Sequence, residues 1–486
     1  MDIAKSPLSA SAATATATSE SHPRRVRWAV DALLPLALTI TAGIGVWLPA
    51  SLPSAARVTL FTFALAVIFW STTSLNAAYV ALAAVMALIL TGGSPQERLF
   101  DALASDVVWL MIGAFILAAA VQQAGLATRL TSFIVSRART VRGMFWLLTP
   151  VLILLPVLVP STSGQAAVAV PVFRSLAGAA RDPRITRALA LLMPTVILVA
   201  TITTLTSAGS HLIANDLLGQ IANQRISFAQ WMLYGLPFGI AAGYASCWVI
   251  LRLFLDRDRR NCAIQLPPPN HAPLLRAEWT TLTVAAMMIL LWVSEAWHGL
   301  GIAIVAVVSA LVLTLPRIGV LKWEDALKAV SWNLIIFVGA ALVLGRALVE
   351  SGAAQWIIDQ VFAMSGIVGA ESRFLILLAL AGISLTSHVY MTSHTARAAA
   401  LVPPLLYLAK SLDLNPTAVL FISTVGMNYC LTFPVSSKAL LVFQELEGAT
   451  YQPADLLRLS AVMLPIHLGL MLLFYYTYWP WVGLTL

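Results

Sequence analysis

The sequence predicts an all-α polytopic membrane protein with about 11 transmembrane helices and two re-entrant hairpins, arranged in two inverted repeats. Three observations predict this fold. Of the 486 residues, 59% are hydrophobic and 10% are charged, and the mean hydropathy is +0.87. Apolar runs long enough to cross a bilayer recur along the whole chain. Two polar interruptions of similar pattern fall inside such runs, one in each half.

The composition excludes a soluble protein of this size, because soluble domains carry about 25% charged residues. An open sheet would leave backbone groups unpaired in lipid, and unbroken apolar runs such as 459–478 exclude the alternation of a β-barrel. The net charge is +8, but the basic residues stand in loops between apolar runs, which is typical of membrane topology and not of nucleic-acid binding. Cys247, Cys262 and Cys430 form no metal-ligand cluster and imply no disulfide framework.

The chain divides into a short N-terminal part and two halves of the same order, each with scaffold helices, a hairpin and a broken helix. The apolar run that follows the N-terminal tail is too long for a cleavable signal peptide, so we expect it to be retained. The predicted segments are a disordered cytoplasmic tail (1–27), a first helix (28–54), repeat 1 (55–251) with its hairpin (143–178) and broken helix (186–215), a cytoplasmic linker (252–278), and repeat 2 (279–486) with its hairpin (372–410) and broken helix (415–440).

The charges of the loops predict the orientation. If both hairpins re-enter, 20 of the 29 Lys and Arg residues fall in segments on the cytoplasmic side and 5 fall in segments outside. Short cytoplasmic loops carry an excess of Lys and Arg. We therefore expect a multi-pass protein of the cell inner membrane, with a cytoplasmic N-terminus and a periplasmic C-terminus.

The two hairpins carry related motifs. Ser161 stands ten residues before Pro171, and Ser393 stands ten residues before Pro403. Unwound backbone at membrane depth is tolerated only where it lines a cavity or is buried in protein. We therefore expect both hairpin tips to line one cavity, with a kinked structural helix as the alternative for each segment.

The polar residues of these breaks are candidates for a binding site, because polar groups at membrane depth are costly. The tips and two later breaks, 206–211 and 432–438, hold hydroxyls, amides, His, Arg and Lys but no Asp or Glu. Hydroxyls, basic groups and helix N-termini suit an anion, whereas a cation would need carboxylates. The predicted substrate-binding residues are Ser161, Thr162, Ser163, Ser207, Ser393, His394, Thr395, Arg397, Thr432 and Lys438.

Two of these residues have structural alternatives. Arg397 could instead hydrogen-bond a helix C-terminus or a backbone carbonyl, and Lys438 could extend its charge to the membrane interface. Both alternatives stay open from the sequence alone.

The motifs resemble those of the divalent anion/sodium symporter family, which includes bacterial dicarboxylate and citrate carriers and plastid 2-oxoglutarate/malate translocators. The resemblance covers about residues 55–480. It rests on a pair of Ser-Asn-Thr motifs at hairpin tips, which stand here as Ser-Thr-Ser at 161–163 and Ser-His-Thr at 393–395. The family's Thr-Pro-rich motif in each following broken helix has counterparts at 206–211 and 432–438, the second with Pro434.

The resemblance implies an elevator-type mechanism and a homodimer formed through the scaffold. It also implies sodium bound near Ser161, Ser163, Ser393 and Thr395. Thr162 and His394 replace the family's Asn residues, and Lys438 adds a fixed positive charge. Sodium coupling, proton coupling and sodium-independent exchange therefore all stay open.

The sequence thus favours a secondary active transporter of a small organic anion, a di- or tricarboxylate, with Na+ or H+ as the coupling ion and no organic cofactor. A carrier of an inorganic anion such as sulfate is the alternative within the same superfamily. A membrane-embedded enzyme is disfavoured, because the polar breaks hold no acidic residue and the chain has no His-Glu-x-x-His motif. The expected partners are the anion and the lipid bilayer, and no nucleic acid.

Overall fold

The computed structural model describes residues 24–264, 273–357, 360 and 373–486. Within these ranges the chain is built from α-helices and short 3-10 turns, and one isolated bridge joins Thr140 to Ala263. The helices are α1 (Arg24–Trp47), α2 (Ser54–Thr72), α3 (Ala77–Leu90), α4 (Glu97–Leu103), α5 (Asp106–Gln123), α6 (Leu126–Val135), α7 (Val141–Leu158), α8 (Thr162–Ala180), α9 (Pro183–Ala200), α10 (Gly209–Ala222), α11 (Phe228–Phe254), α12 (Arg257–Asn261), α13 (Arg276–Val293), α14 (Glu295–His298), α15 (Ile302–Thr314), α16 (Trp323–Ala329), α17 (Trp332–Glu350), α18 (Arg373–Tyr390), α19 (His394–Ser411), α20 (Pro416–Met427), α21 (Lys438–Gln444) and α22 (Pro453–Thr477).

The prediction of an all-helical, multi-pass membrane protein is confirmed. Nine helical stretches of the described chain are long and apolar enough to cross a membrane. The apolar part of α1 and the helices α3, α15 and α20 are apolar but shorter. The number of helices that cross the bilayer stays a prediction.

The boundaries differ from the prediction at the N-terminus and in the loops. The first helix begins at Arg24, four residues before its predicted start at 28, and the rest of the tail lies outside the described residues. Part of the predicted linker, 265–272, and residue 372 at the start of the second hairpin also lie outside them. The segment after α5 forms the amphipathic helix α6, where the sequence suggested only a loop.

Both predicted hairpins are pairs of helices joined by a three-residue break. α7 and α8 are separated by residues 159–161, and α18 and α19 by residues 391–393. Each hairpin is followed by a broken helix. Two 3-10 turns, Thr201–Thr203 and Leu205–Ser207, separate α9 from α10, and irregular residues with the turn Pro434–Ser436 separate α20 from α21. Whether each hairpin returns to the side it entered from stays a prediction.

The halves pack on each other reciprocally. α3 packs against α17, and its counterpart α15 packs against α5, the counterpart of α17. In the same way α10 packs against α19, and α21 packs against α8. Such exchanged contacts are what a two-fold relation between two repeats requires, and they support the two-repeat organisation that we propose for the chain.

The helices also sort into two groups by their contacts. We call α1–α5, α13 and α15–α17 the scaffold group, and α7–α11 with α18–α22 the carrier group. The principal contacts between the groups are those of α17 with α10 and α19. Inside the carrier group the backbones approach closely: a Cβ atom on Gly235 of α11 would lie 2.1 Å from the carbonyl oxygen of Ile202 in the first broken helix. Dense packing therefore fixes the breaks in place.

Candidate functional site

The two hairpin tips line one cavity of about 570 Å³. Residues 161–163 and 393–395 all lie in its wall, together with Lys438. The tips are 232 residues apart in the chain, measured from Ser161 to Ser393. The two repeats bring them together because each hairpin packs beside the broken helix of its own half, and the broken helices meet the opposite hairpins through α10–α19 and α8–α21.

Six helices begin at this cavity. The lining residues include the first turns of α3, α8, α10, α17, α19 and α21. The first N–H groups of a helix have no intrahelical partner, and the aligned peptide dipoles place roughly half a positive charge at its N-terminus. Six such ends around one space create a positive potential there, which stabilises an anion.

The charge that the side chains of the wall carry is also positive. The lining residues contain Lys438 and no Asp or Glu. Lys438 is exposed and is the first residue of α21. The remaining polar groups are hydroxyls, the His394 ring and the amides of Asn76 and Asn333. Such a wall can donate hydrogen bonds to an anion, and its side chains carry no negative charge that would attract a cation.

The serines of the two tips have the same structural role. Ser161 Oγ accepts a hydrogen bond from the Gly164 N–H at 3.5 Å, and Ser393 Oγ accepts one from the Ala396 N–H at 3.3 Å. Each serine is therefore the N-cap of the helix that follows the break.

Gln165 and Arg397 stand four residues after these serines and link each tip to the broken helix of its half. Gln165 Nε2 donates to the carbonyl oxygens of Val159 at 2.7 Å and Ser207 at 3.4 Å. Arg397 is fully buried, and its Nη1 donates to the Tyr429 carbonyl oxygen at 3.5 Å. Within the described residues, Arg397 Nε and Nη2 have no hydrogen-bond partner and no carboxylate pairs with the guanidinium.

His211 ties the two broken helices together. Its Nδ1 lies 3.1 Å from the Thr204 carbonyl oxygen, which can only accept, so Nδ1 carries the proton. Its Nε2 then accepts from the Asn428 side-chain amide at 2.8 Å. Ser207 is also used inside this network, because its hydroxyl donates to the carbonyl oxygens of Thr201 and Thr204. Ser207 is fully buried.

A second buried chain of hydrogen bonds uses Thr432. His388 Nδ1 donates to the Leu385 carbonyl oxygen at 2.7 Å, and His388 Nε2 accepts from the Thr432 hydroxyl at 2.6 Å. Ser460 of α22 then donates to the Thr432 oxygen at 2.8 Å. The Thr432 hydroxyl thus links α18 to α22 through its two hydrogen bonds.

The cavity therefore contains seven of the ten predicted binding residues and leaves out three. Arg397, Thr432 and Ser207 do not line it, because their polar groups point into the packing behind the tips. The cavity also contains six polar residues outside the predicted set of ten. They are Asn76, Ser210, Ser331, Asn333, Thr392 and Ser437.

Helix starts could have signalled three of these residues. Asn76 precedes an apolar run, and its side chain accepts from the N–H groups of Ala78 and Tyr79 as the N-cap of α3. Ser331 occupies the N-cap position of α17, and Ser437 caps α21. A search for N-cap residues before every apolar run, and not only inside the broken ones, would have found all three.

Comparison with known proteins agrees with this architecture. A "membrane protein" of Cupriavidus necator is 26% identical over 386 residues, which is 77% of this chain and 74% of that protein. The citrate/succinate antiporter of Escherichia coli K12 is 24% identical over 389 residues, 76% of this chain and 77% of the antiporter. The sodium-dependent dicarboxylate transporter SdcS of Staphylococcus aureus is 22% identical over 406 residues, 76% of each chain.

The fold is also similar to a solved structure. The YdaH transporter of Alcanivorax borkumensis superposes with a TM-score of 0.58 over 88% of this chain and 99% of its own, at 14% identity. The family described as the sodium:sulfate symporter transmembrane region matches residues 30–485, nearly the whole length. The chain therefore belongs to this family of membrane transporters, the divalent anion/sodium symporters.

Proposed function

We propose that the chain is a secondary active transporter of a small organic anion, a di- or tricarboxylate, which it binds between the two hairpin tips. The observation that carries the proposal is the cavity wall, in which six helix N-termini and Lys438 face one space without any Asp or Glu. A volume of about 570 Å³ suits a small molecule, since ligand pockets usually measure about 300–1,000 Å³. The named substrates of the antiporter and of SdcS belong to this class.

Uptake into proteoliposomes tests the proposal. We expect labelled succinate or citrate to accumulate, and the same anion preloaded inside to accelerate uptake if the chain exchanges anions. Labelled sulfate belongs in the same panel, because the matching family is described by sulfate. Uptake of sulfate without uptake of any carboxylate would show that the substrate is an inorganic anion and not an organic one.

The two tips differ in how they can bind a coupling cation. In the first half the residue behind the tip is the neutral Gln165, so no charged side chain lies behind Ser161 and Ser163 in the place that Arg397 has in the second half. In the second half the buried guanidinium of Arg397 already lies against the Tyr429 carbonyl oxygen. If a sodium ion bound about 5 Å from this guanidinium, the two positive charges would repel by about 3 kcal/mol at an effective dielectric constant of 20. We therefore propose that sodium does not bind near Ser393 and Thr395, and that Arg397 supplies a permanent charge in its place.

The two helix groups support an elevator-type movement of the carrier group against the scaffold group. Both tips and both broken helices belong to the carrier group, whereas α3 and α17 contribute the scaffold side of the cavity. An ion pair crosses the boundary elsewhere: Arg225, between α10 and α11, pairs with Asp106 of α5 at 3.1 Å. A bound anion between the groups would be carried when the carrier group slides and this pair separates.

A further inference from the structure

A second cavity, of about 380 Å³, lies where the start of α7, the end of α11 and the short helix α12 meet. Its wall contains four arginines, Arg142, Arg252, Arg257 and Arg260, and no Asp or Glu. The side chains of Trp146 and Trp248 form much of the rest. None of its lining residues belongs to the cavity between the hairpin tips.

The main chain holds this pocket in shape. The Val141 N–H donates to the Cys262 carbonyl oxygen at 3.1 Å, and the Ile264 N–H donates to the Arg139 carbonyl oxygen at 3.2 Å. These two bonds fasten the segment after α12 to the start of α7. Asp256 caps α12 by accepting the Arg259 N–H at 2.9 Å. The arginines therefore lie on backbone segments that main-chain hydrogen bonds and the Asp256 cap hold in place.

Two carboxylates near α12, those of Asp182 and Asp256, pair with a fifth arginine. Arg259 donates to Asp182 at 3.0 Å and also pairs with Asp256. The Arg259 main-chain N–H, and then its guanidinium, hold the pKa of Asp256 below its ordinary value. The four pocket arginines form no ion pair with any carboxylate of the described chain, and the undescribed neighbours 265–272 contain no Asp or Glu.

The position of one of these arginines adds to the positive potential. Arg142 lies in the first turn of α7, an 18-residue helix whose dipole is positive at that end. Without a counter-ion, the four arginine side chains around this small space repel each other. An anion that fits between them would therefore stabilise the pocket.

We propose that this pocket binds a phosphate group, and that an anionic phospholipid headgroup supplies it. Guanidinium groups bind phosphate through pairs of parallel hydrogen bonds, and basic pockets between membrane helices bind lipid headgroups. The tryptophans favour the lipid over free phosphate. Trp248 is 51% exposed, and the Arg252 guanidinium lies 5.7 Å from its ring centroid. Tryptophan at this position offers an apolar surface to the glycerol and first acyl carbons beside the charged group.

Thermal unfolding of the full chain in detergent tests the proposal. The pocket variant combines Arg142→Gln with Arg257→Gln. The control combines Arg174→Gln with Arg187→Gln, two exposed arginines outside the pocket, so that both proteins lose the same charge. We expect phosphatidylglycerol, compared with phosphatidylcholine, to raise the Tm of the wild type and the control by several degrees. The pocket variant should lose most of this rise.

Two outcomes would change the inference. An equal rise in the pocket variant and the control overturns it, because the lipid would then act through general charge. A pocket-dependent rise produced to the same extent by inorganic phosphate supports the phosphate site and overturns the lipid as its source. Neither outcome involves transport, so the test is independent of the function proposed for the first cavity.

Discussion

Lys438 is exposed in the cavity wall at the start of α21, where its charge adds to the helix dipoles. A hydrogen bond to a charged group contributes about 1.5–3 kcal/mol, so Lys438→Asn should weaken anion binding roughly ten- to 150-fold. We expect the KM for the transported anion to rise by that factor while the variant inserts and folds. Lys322→Asn is the control, since Lys322 is exposed and lies outside the cavity. An unchanged KM for Lys438→Asn would show that hydroxyls and helix N-termini bind the anion alone.

Arg397 is the residue behind the second tip, and it has no carboxylate partner among the described residues. Arg397→Gln gives the second half the side chain that the first half has at Gln165. Removal of about 3 kcal/mol of repulsion corresponds to roughly 100-fold tighter sodium binding nearby. We therefore expect uptake by Arg397→Gln to become more strongly sodium-dependent than uptake by the wild type, measured across a series of sodium concentrations.

The charge-conserving substitution Arg397→Lys is the matched control for this experiment. It should keep the sodium dependence of the wild type, because the positive charge remains behind the tip. If Arg397→Gln and Arg397→Lys respond to sodium alike, the guanidinium acts by filling space and not by its charge.

At the same scale, the sequence could predict which residues meet but not always which way they face. Polar residues in broken apolar runs had to lie together, and residues 161–163 and 393–395 line one cavity. Ser207, Thr432 and Arg397 are also polar and lie in or beside the same breaks. Ser207 and Arg397 nevertheless donate to neighbouring carbonyl oxygens, and the Thr432 hydroxyl donates to the His388 ring. Polarity predicts that a buried group needs a partner, and only packing decides whether that partner is protein or ligand.

At the scale of single elements, α11 depends on glycine for its contact with the first broken helix. A Cβ atom on Gly235 would come within 2.1 Å of the Ile202 carbonyl oxygen, an atom of the backbone that cannot rotate away. Overpacking of this kind costs about 1–3 kcal/mol, so Gly235→Ala should lower the Tm in detergent and the yield of folded protein.

Gly469→Ala is the matched control for Gly235→Ala. Gly469 lies inside α22, the counterpart of α11, and a Cβ atom there would meet nothing within 4 Å. Alanine favours a helix by about 0.5–1 kcal/mol over glycine, so this variant should be as stable as the wild type or slightly more so. Equal destabilisation by both substitutions would show that helix flexibility, and not the close contact, accounts for the loss.

The elements themselves were predictable to different degrees. Both hairpin breaks fall where Ser161 and Ser393 predicted them, because a serine N-cap after an apolar run has a direct local cause. The helix α6 and the short helices α4, α12, α14 and α16 were not foreseen. They lie in polar or short segments where apolar periodicity is weak, so tertiary contacts decide their structure.

At the scale of the whole molecule, the unequal distribution of charge predicts the orientation in the membrane. With 20 basic residues predicted on one side and 5 on the other, a reversed orientation would place most of them in the periplasm. We expect alkaline phosphatase fused after Leu486 to be active and the same enzyme inserted in 252–278 to be inactive. Fluorescence of a green fluorescent protein fused to the C-terminus would contradict the inverted-repeat arrangement. The homodimer stays a prediction.

The proposed sliding of the carrier group against the scaffold group can be tested directly. Asp106 of α5 and Arg225 form an exposed ion pair at 3.1 Å across the boundary between the groups. Arg98 of α4 and Glu350 of α17 form a comparable pair at 2.9 Å inside the scaffold group. Cysteines at Asp106 and Arg225, or at Arg98 and Glu350, allow each pair to be joined by a short thiol cross-linker.

A cross-link between the groups should stop transport, because an elevator requires the carrier group to slide past α5 and α17 during every cycle. A cross-link inside the scaffold group should leave transport unchanged, because both partners stay fixed relative to each other. Uptake measured before cross-linking, after it, and after cleavage of the linker separates arrest from damage to the protein. Full transport by the cross-linked Asp106→Cys/Arg225→Cys protein would rule out a sliding carrier group and leave local opening of the hairpins as the way in and out of the cavity.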